Sequence, residues 1–200
     1  MTIKSESGLC EVKFDILYGW DMKFTLLTHF KEFEKRSNTG RLVVDALGDG
    51  AEQVRWDRLN QPARLVEEIE AGGVALVYPG PVDEAAGDLT GIRQVVLIDG
   101  TWHEARKIHQ RSPYLQKIRR ICLKPAGKSV YNLRKNQKVS GLCTAECVIE
   151  ILRCIGQAED AEQLESQFLA FITRSGAKTL DSDVRDVPMG ALTRENNHDQ

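Results

Sequence analysis

Two short, unbroken apolar runs constrain this chain most. Residues 74–78 (VALVY) and 95–98 (VVLI) carry no polar interruption. Each is closed at once by turn formers, Pro79-Gly80-Pro81 after the first and Asp99-Gly100 after the second. A strand with one wet face alternates polar and apolar residues. A strand without that alternation is buried on both faces, as in a parallel sheet covered by helices. Residues 24–28 (FTLLT) read as a third such strand, with shorter candidates at 53–56 and 120–123 (RICL).

Helical patterns fall between these runs. Residues 29–36 (HFKEFEKR) look helical and are broken by Ser37-Asn38-Thr39-Gly40. RLVVDAL (41–47) resumes an apolar helical period and stops at Gly48-Asp49-Gly50. Gln61-Pro62 opens a helix with Leu65, Val66 and Ile69 on one face, ended by Gly72-Gly73. Residues 102–110 form another, which Thr101 can cap. Ser112-Pro113 breaks that pattern. Residues 124–139 read as a basic loop, and 144–155 and 160–174 as two amphipathic helices. Strands alternating with helices predict an α/β fold with a mostly parallel central sheet flanked by helices. One domain is expected over residues 24–176, preceded by a patternless segment, 1–23, and followed by a tail, 177–200.

No apolar run approaches the roughly 20 residues of a membrane span, and the first residues lack the apolar core of a signal peptide. A cytoplasmic protein is the expectation. Its five cysteines (10, 122, 143, 147 and 154) are then reduced. Without a CxxC pair they make no zinc ribbon, and no metal is expected. Cys143, Cys147 and Cys154 recur at helix spacing, as small apolar residues of a buried face do.

The chain's net charge is −2, but it is unevenly spread. Residues 103–138 hold 11 Lys and Arg against one acid, Glu104, a net +10 that leaves −12 on the rest. A solvated face usually intersperses both signs. A one-sign block that also contains Tyr114 and Tyr131 points to phosphates, and so to nucleic acid. Arg106, Lys107, Arg111, Arg119 and Arg120 are the candidate phosphate contacts.

Ligands of such sheets sit at the carboxyl ends of the strands, which singles out four segments. Asp99 ends one strand directly before a helix. It can accept a proton or hold a ligand's ammonium or ribose hydroxyl, and an Asx-turn is the alternative. Trp102 can stack on a base or adenine, although a tryptophan in a first helical turn is more often core. Asn38, Thr39 and Gly40 can present backbone N–H groups to an anion or simply form a turn and cap. Tyr131 and Arg134, in SVYNLRK, can stack on a base and clamp a carboxylate or phosphate. Thr144 and Glu146 open a helix as N-cap and as an acid at its positive end. The histidines are too scattered for a metal site.

These segments resemble, in order, those of the DTW-domain family, named for an Asp-x-Thr-Trp core. Here that core is Asp99, Gly100, Thr101 and Trp102, within DGTWHEARK and with SPYL just after. SNTGRLVVDAL, VALVYPG, SVYNLRK and CTAECVIEIL match the family's other blocks, so the resemblance covers about residues 24–175. It implies a tRNA-uridine aminocarboxypropyltransferase that moves the 3-amino-3-carboxypropyl group of S-adenosylmethionine to N3 of uridine. It also implies a fold similar to the SPOUT class of RNA methyltransferases, with a C-terminal trefoil knot, a feature rare among folds. By this resemblance Asp99, Thr101 and Trp102 are catalytic, with Asp99 as the base. Asn38, Thr39, Gly40, Tyr78, Pro79, Tyr131, Arg134, Thr144 and Glu146 line the donor site, and the basic residues bind tRNA. Many members open with a cysteine cluster resembling a zinc ribbon, whereas here only Cys10 lies in that region. An RNA methyltransferase with the same donor and a non-catalytic RNA-binding protein stay open as alternatives.

Overall fold

A computed structural model describes residues 2–3, 12–13, 22–79, 89–123 and 142–175. A short antiparallel pairing joins β1 (Thr2–Ile3) and β2 (Val12–Lys13). The main sheet contains β3 (Lys23–Thr28), β4 (Ala51–Arg55), β5 (Val74–Val77), β6 (Gln94–Asp99) and β7 (Arg119–Ile121). All its pairings are parallel, and the order is β4-β3-β6-β5-β7. The α/β expectation therefore holds. The C-terminal part, where the resemblance implies a knot, includes residues 124–141, which lie outside the described residues, as does the tail over 177–200.

The apolar runs are central strands buried on both faces, and their side chains alternate between two cores as the pleat requires. Phe24, Leu26, Ala75, Val95 and Leu97 enter one core. Leu27, Val74, Leu76 and Val96 enter the other. The first core is covered by α2 (Gly40–Leu47), α6 (Thr144–Cys154) and α7 (Ala158–Arg174). The second is covered by α3 (Ala63–Ala71), α4 (Trp102–Arg111) and the single turn α5 (Pro113–Gln116). The result is three layers, helix–sheet–helix.

Local chemistry sets the element ends. Gly72 and Gly73 have φ of 84° and 76°, a left-handed pair that stops α3. Thr101 and Glu104 form a capping box at the start of α4. Two sequence expectations need correction. The helix read over 29–36 is one turn, α1 (Phe30–Phe33), because the chain must turn to bring Asn38 under the end of β6. Thr144 is not the N-cap of α6. Cys143 holds that position, with its backbone N–H donating to Glu146 Oε2 at 2.7 Å. The cysteines behave as apolar helix residues: Cys143 is buried in the first core and Cys147 and Cys154 pack against it.

Helix α7 closes the first core by packing on α6 and α2, with Phe168 1 % exposed and Leu169 43 % exposed. Phe168→Ala is expected to cost about 3–5 kcal/mol. Leu169→Ala should stay within about 0.5 kcal/mol. Urea unfolding midpoints of the two variants check this.

Candidate functional site

The chain leaves β3 toward the first core through α2, and leaves β6 toward the second core through α4. The loops after these two neighbouring strands therefore diverge, opening a crevice at their carboxyl ends. Such a switch point is where parallel sheets receive ligands. Thr28 and Asp99, the last residues of β3 and β6, are in register there.

Asp99 is fully buried. Its Oδ2 accepts from Asn38 Nδ2 at 2.6 Å and lies 3.3 Å from the Thr28 hydroxyl. Its Oδ1 accepts from the Thr144 hydroxyl at 2.7 Å. Asn38 is oriented in turn, its Oδ1 accepting from the Arg41 backbone N–H at 2.9 Å and from Gln53 Nε2 at 3.3 Å. Gly40 and Thr144 are the first residues of α2 and α6, so the positive ends of two helices meet at the carboxylate. A Cβ on Gly40 would lie 2.8 Å from Asp99 Oδ2 and 3.0 Å from Asn38 Oδ1, so close approach requires the glycine. Thr39 is buried and hydrogen-bonds the Cys143 thiol. Burial, and then the Glu146 charge, push that thiol well above its usual value.

The remaining motif residues form the rim. Thr101 caps α4. Burial would raise the Glu104 carboxyl, but hydrogen bonds from the Thr101 side chain and backbone and the charges of His29 and Lys35 bring it below its usual value. Trp102 is 41 % exposed. This departs from the core placement usual for a first-turn tryptophan. Its ring stacks with Tyr78 at 5.8 Å, Tyr78 stacks with His109 at 4.2 Å, and the Arg106 guanidinium lies 5.6 Å from the indole. Pro79 is exposed just beyond Tyr78.

Arg106, Lys107 and Arg111 on α4 and Arg119 and Arg120 on β7 are all exposed. Tyr131 and Arg134 lie outside the described residues. The structure thus joins Asn38, Gly40, Asp99 and Thr144 in one network. Tyr78, Trp102 and Arg106 form a neighbouring column, while Glu146 holds the turn that aims Thr144. Sequence reasoning missed Thr28, Gln53, His29 and His109. Thr28 had a usable signal, a polar residue ending an apolar strand as Asp99 does.

The family comparison coincides with this region. The DTW domain matches residues 9–175, and the chain belongs to the DTW-domain family. A curated relative, tRNA-uridine aminocarboxypropyltransferase 2 of Drosophila melanogaster, is 31 % identical over 152 residues, which are 70 % of this chain and 59 % of the relative. The chain therefore spans less than two thirds of that relative's length. No solved structure matches the chain. Among the described residues no helix is long and apolar enough to cross a membrane.

Gly40→Ala should destabilise the fold. Alanine's helix advantage of about 1 kcal/mol is smaller than the loss of one charge-assisted hydrogen bond to Asp99, about 1.5–3 kcal/mol. Asn38→Ala should cost a similar amount, and urea unfolding reads both. A second expectation concerns His109, whose Nε2 is buried without a hydrogen-bond partner among the described residues. Burial first, then the charge of Arg120, hold its imidazole below the usual 6.5. Stability from keeping it neutral is complete above 6.5 and lost as pH falls below that value. From about pH 7 to about pH 5.5 the wild-type Tm should fall more steeply than that of His109→Phe.

Proposed function

We propose that this protein is a cytoplasmic transferase that moves the 3-amino-3-carboxypropyl group of S-adenosylmethionine to N3 of a tRNA uridine. The observation that carries the reading is the family match over the residues that build the carboxyl-edge crevice. The relative's printed activity and the one-sign basic surface beside the crevice support it. When bound, the donor supplies a Cγ activated by its sulfonium, so that methylthioadenosine leaves as uridine N3 takes the aminocarboxypropyl group and its proton passes to solvent.

The residues fit such a donor through the half-exposed Trp102, whose indole can meet an adenine or base face. Tyr78 and Pro79 extend that wall. The Tyr131 and Arg134 motif follows β7 in the chain and is proposed to stack on a base and clamp a carboxylate. Arg106, Lys107, Arg111, Arg119 and Arg120 are proposed to track tRNA phosphates, which makes affinity fall steeply with salt.

We propose a positioning role for Asp99 in place of the base that the resemblance implies. A base must reach the proton it takes. The Asp99 side chain is buried and engaged by Thr28, Asn38 and Thr144. We assign it to positioning: its side chain holds the Asn38–Gly40 turn and the start of α6, and its backbone carbonyl accepts from the His29 N–H. Orientation of this kind supplies much of the barrier reduction in a two-substrate displacement.

Unmodified tRNA and donor labelled separately in the methyl and carboxyl carbons test the reading. Carboxyl label should enter tRNA while methyl label leaves as methylthioadenosine. Entry of methyl label would make the protein a methyltransferase. Binding of tRNA with neither label transferred would leave an RNA-binding protein. Trp102→Ala should lower transfer roughly 5- to 150-fold, as loss of a stacking contact of about 1–3 kcal/mol implies.

A further inference from the structure

The Tyr78–Trp102 column has a counterpart across the crevice. After β3, His29 stacks on Trp56 with ring centroids 6.1 Å apart and 21° between planes. His29 also packs on Phe30 at 4.7 Å and 36°. Phe30 is 48 % exposed, and the Lys31 ammonium lies 5.8 Å from its ring. The two columns share one plan. A ring backs a second ring, which backs an exposed ring, and a cation stands beside that last ring. In the first column these are His109, Tyr78, Trp102 and Arg106. In the second they are Trp56, His29, Phe30 and Lys31.

Phe30 and Trp102 are also the only exposed large aromatic side chains among the described residues. Both open the helix that follows a central strand, β3 or β6. The columns are fixed to one another. His29 Nδ1 lies 3.3 Å from Glu104 Oε1, and the Trp56 indole N–H donates to Ser112 Oγ at the end of α4 at 3.0 Å. Beside Phe30 lies a cavity of about 580 Å³ lined by Phe30, Lys31, Phe33, Glu34 and Arg55. That volume falls in the usual range for small-ligand sites, roughly 300–1,000 Å³.

Large apolar rings left at a surface call for an explanation when they sit beside cations at the ligand edge of a sheet. A lone greasy patch for another protein would not need Lys31 and Arg55 at its border. Unpaired RNA presents what both features match: bases that stack on aromatic rings in a sequence-tolerant way, and phosphates that meet Lys and Arg. We propose that Phe30, with Lys31 and Arg55, forms a second nucleotide subsite. It receives an unpaired base of the same RNA whose neighbouring part lies on the Trp102 side. The subsite rests on the tRNA-modifying reading for the identity of its partner.

The test measures binding without donor, using the full chain, a short fluorescein-labelled oligouridylate and unmodified tRNA. Phe30→Ala should weaken binding of both RNAs roughly 5- to 150-fold, the range of one lost stacking contact. Phe30→Trp should retain it. Lys31→Ala and Arg55→Ala should each lower the slope of log affinity against log salt by about 0.7. Thermal melts of each variant check that the exposed substitution leaves the fold intact. Wild-type affinity and salt slope in Phe30→Ala would overturn the subsite. So would weakened S-adenosylmethionine binding with RNA binding unchanged, because the ring would then serve the donor. Failure of label transfer with the Phe30 effects intact would remove the transferase reading and keep the subsite. Transfer and RNA binding both at wild-type levels in Phe30→Ala would do the reverse.

Discussion

The buried carboxylate of Asp99 is the constraint around which the rest is arranged. An isolated ionised carboxylate in an apolar interior costs far more than a small domain's whole stability. Among the described residues the hydrogen-bond partners of this carboxyl are neutral. Asn38 and Thr144 donate from two different segments, the Thr28 hydroxyl lies 3.3 Å away, and the N-termini of α2 and α6 point their positive ends at the same place. Thr144 lies 45 residues beyond Asp99 in the chain. The contact therefore pins the C-terminal helical pair to the end of the central strand. Removing one donor leaves a buried carboxyl oxygen without its partner. The network is thus close to all-or-none, and the absence of a Cβ at Gly40 is part of it.

That arrangement divides labour at the carboxyl edge. The interior of the crevice wall is occupied by a closed set of hydrogen bonds, while the rim carries the half-exposed rings. The amino edge of the same sheet makes the contrast plain. There Lys23, Glu52, Arg64, Glu68 and Gln94 satisfy one another, and among the described residues no large aromatic is left exposed beside them. Both edges are polar. Among the described residues the carboxyl edge alone combines polarity with exposed aromatic surface.

Much of this was legible in the residues. VALVY and VVLI are strands buried on both faces because a lack of alternation leaves no other stable environment, and Asp99 follows from the place where one of them ends. The Asn38–Gly40 turn reads in the sequence either as backbone N–H groups for an anion or as a turn and cap; in the structure the Asn38 side chain caps Arg41 and donates to Asp99. Sequence spacing gives no distance between Asn38 and Asp99, which lie 61 residues apart, so an internal partner looked like an external one. Phe30 was hidden because HFKEFEKR has an amphipathic period, in which an apolar residue reads as core. The turn that ends α1 after Phe33 leaves Phe30 on the surface instead. Thr144 was read as a cap because hydroxyl residues usually cap. The Glu three residues after Cys143 was the signal for the true position.

Charge placement decides from which side a polyanion can reach this edge. The outer helix of the first core, α7, carries Glu159, Asp160, Glu162 and Glu165 along its early turns. The other layer carries Arg106, Lys107 and Arg111 on α4, and the edge strand β7 adds Arg119 and Arg120. At physiological ionic strength charges are screened over about 8 Å, less than the thickness of three layers, so the two signs do not cancel at the surface. For the proposed polyanionic substrate the α4–β7 side is the attractive one and the α7 side the repulsive one. On that proposal a strand held along α4 meets Trp102 before Phe30. The near-neutral total charge conceals a directed field, and that field runs toward the edge where the exposed rings stand.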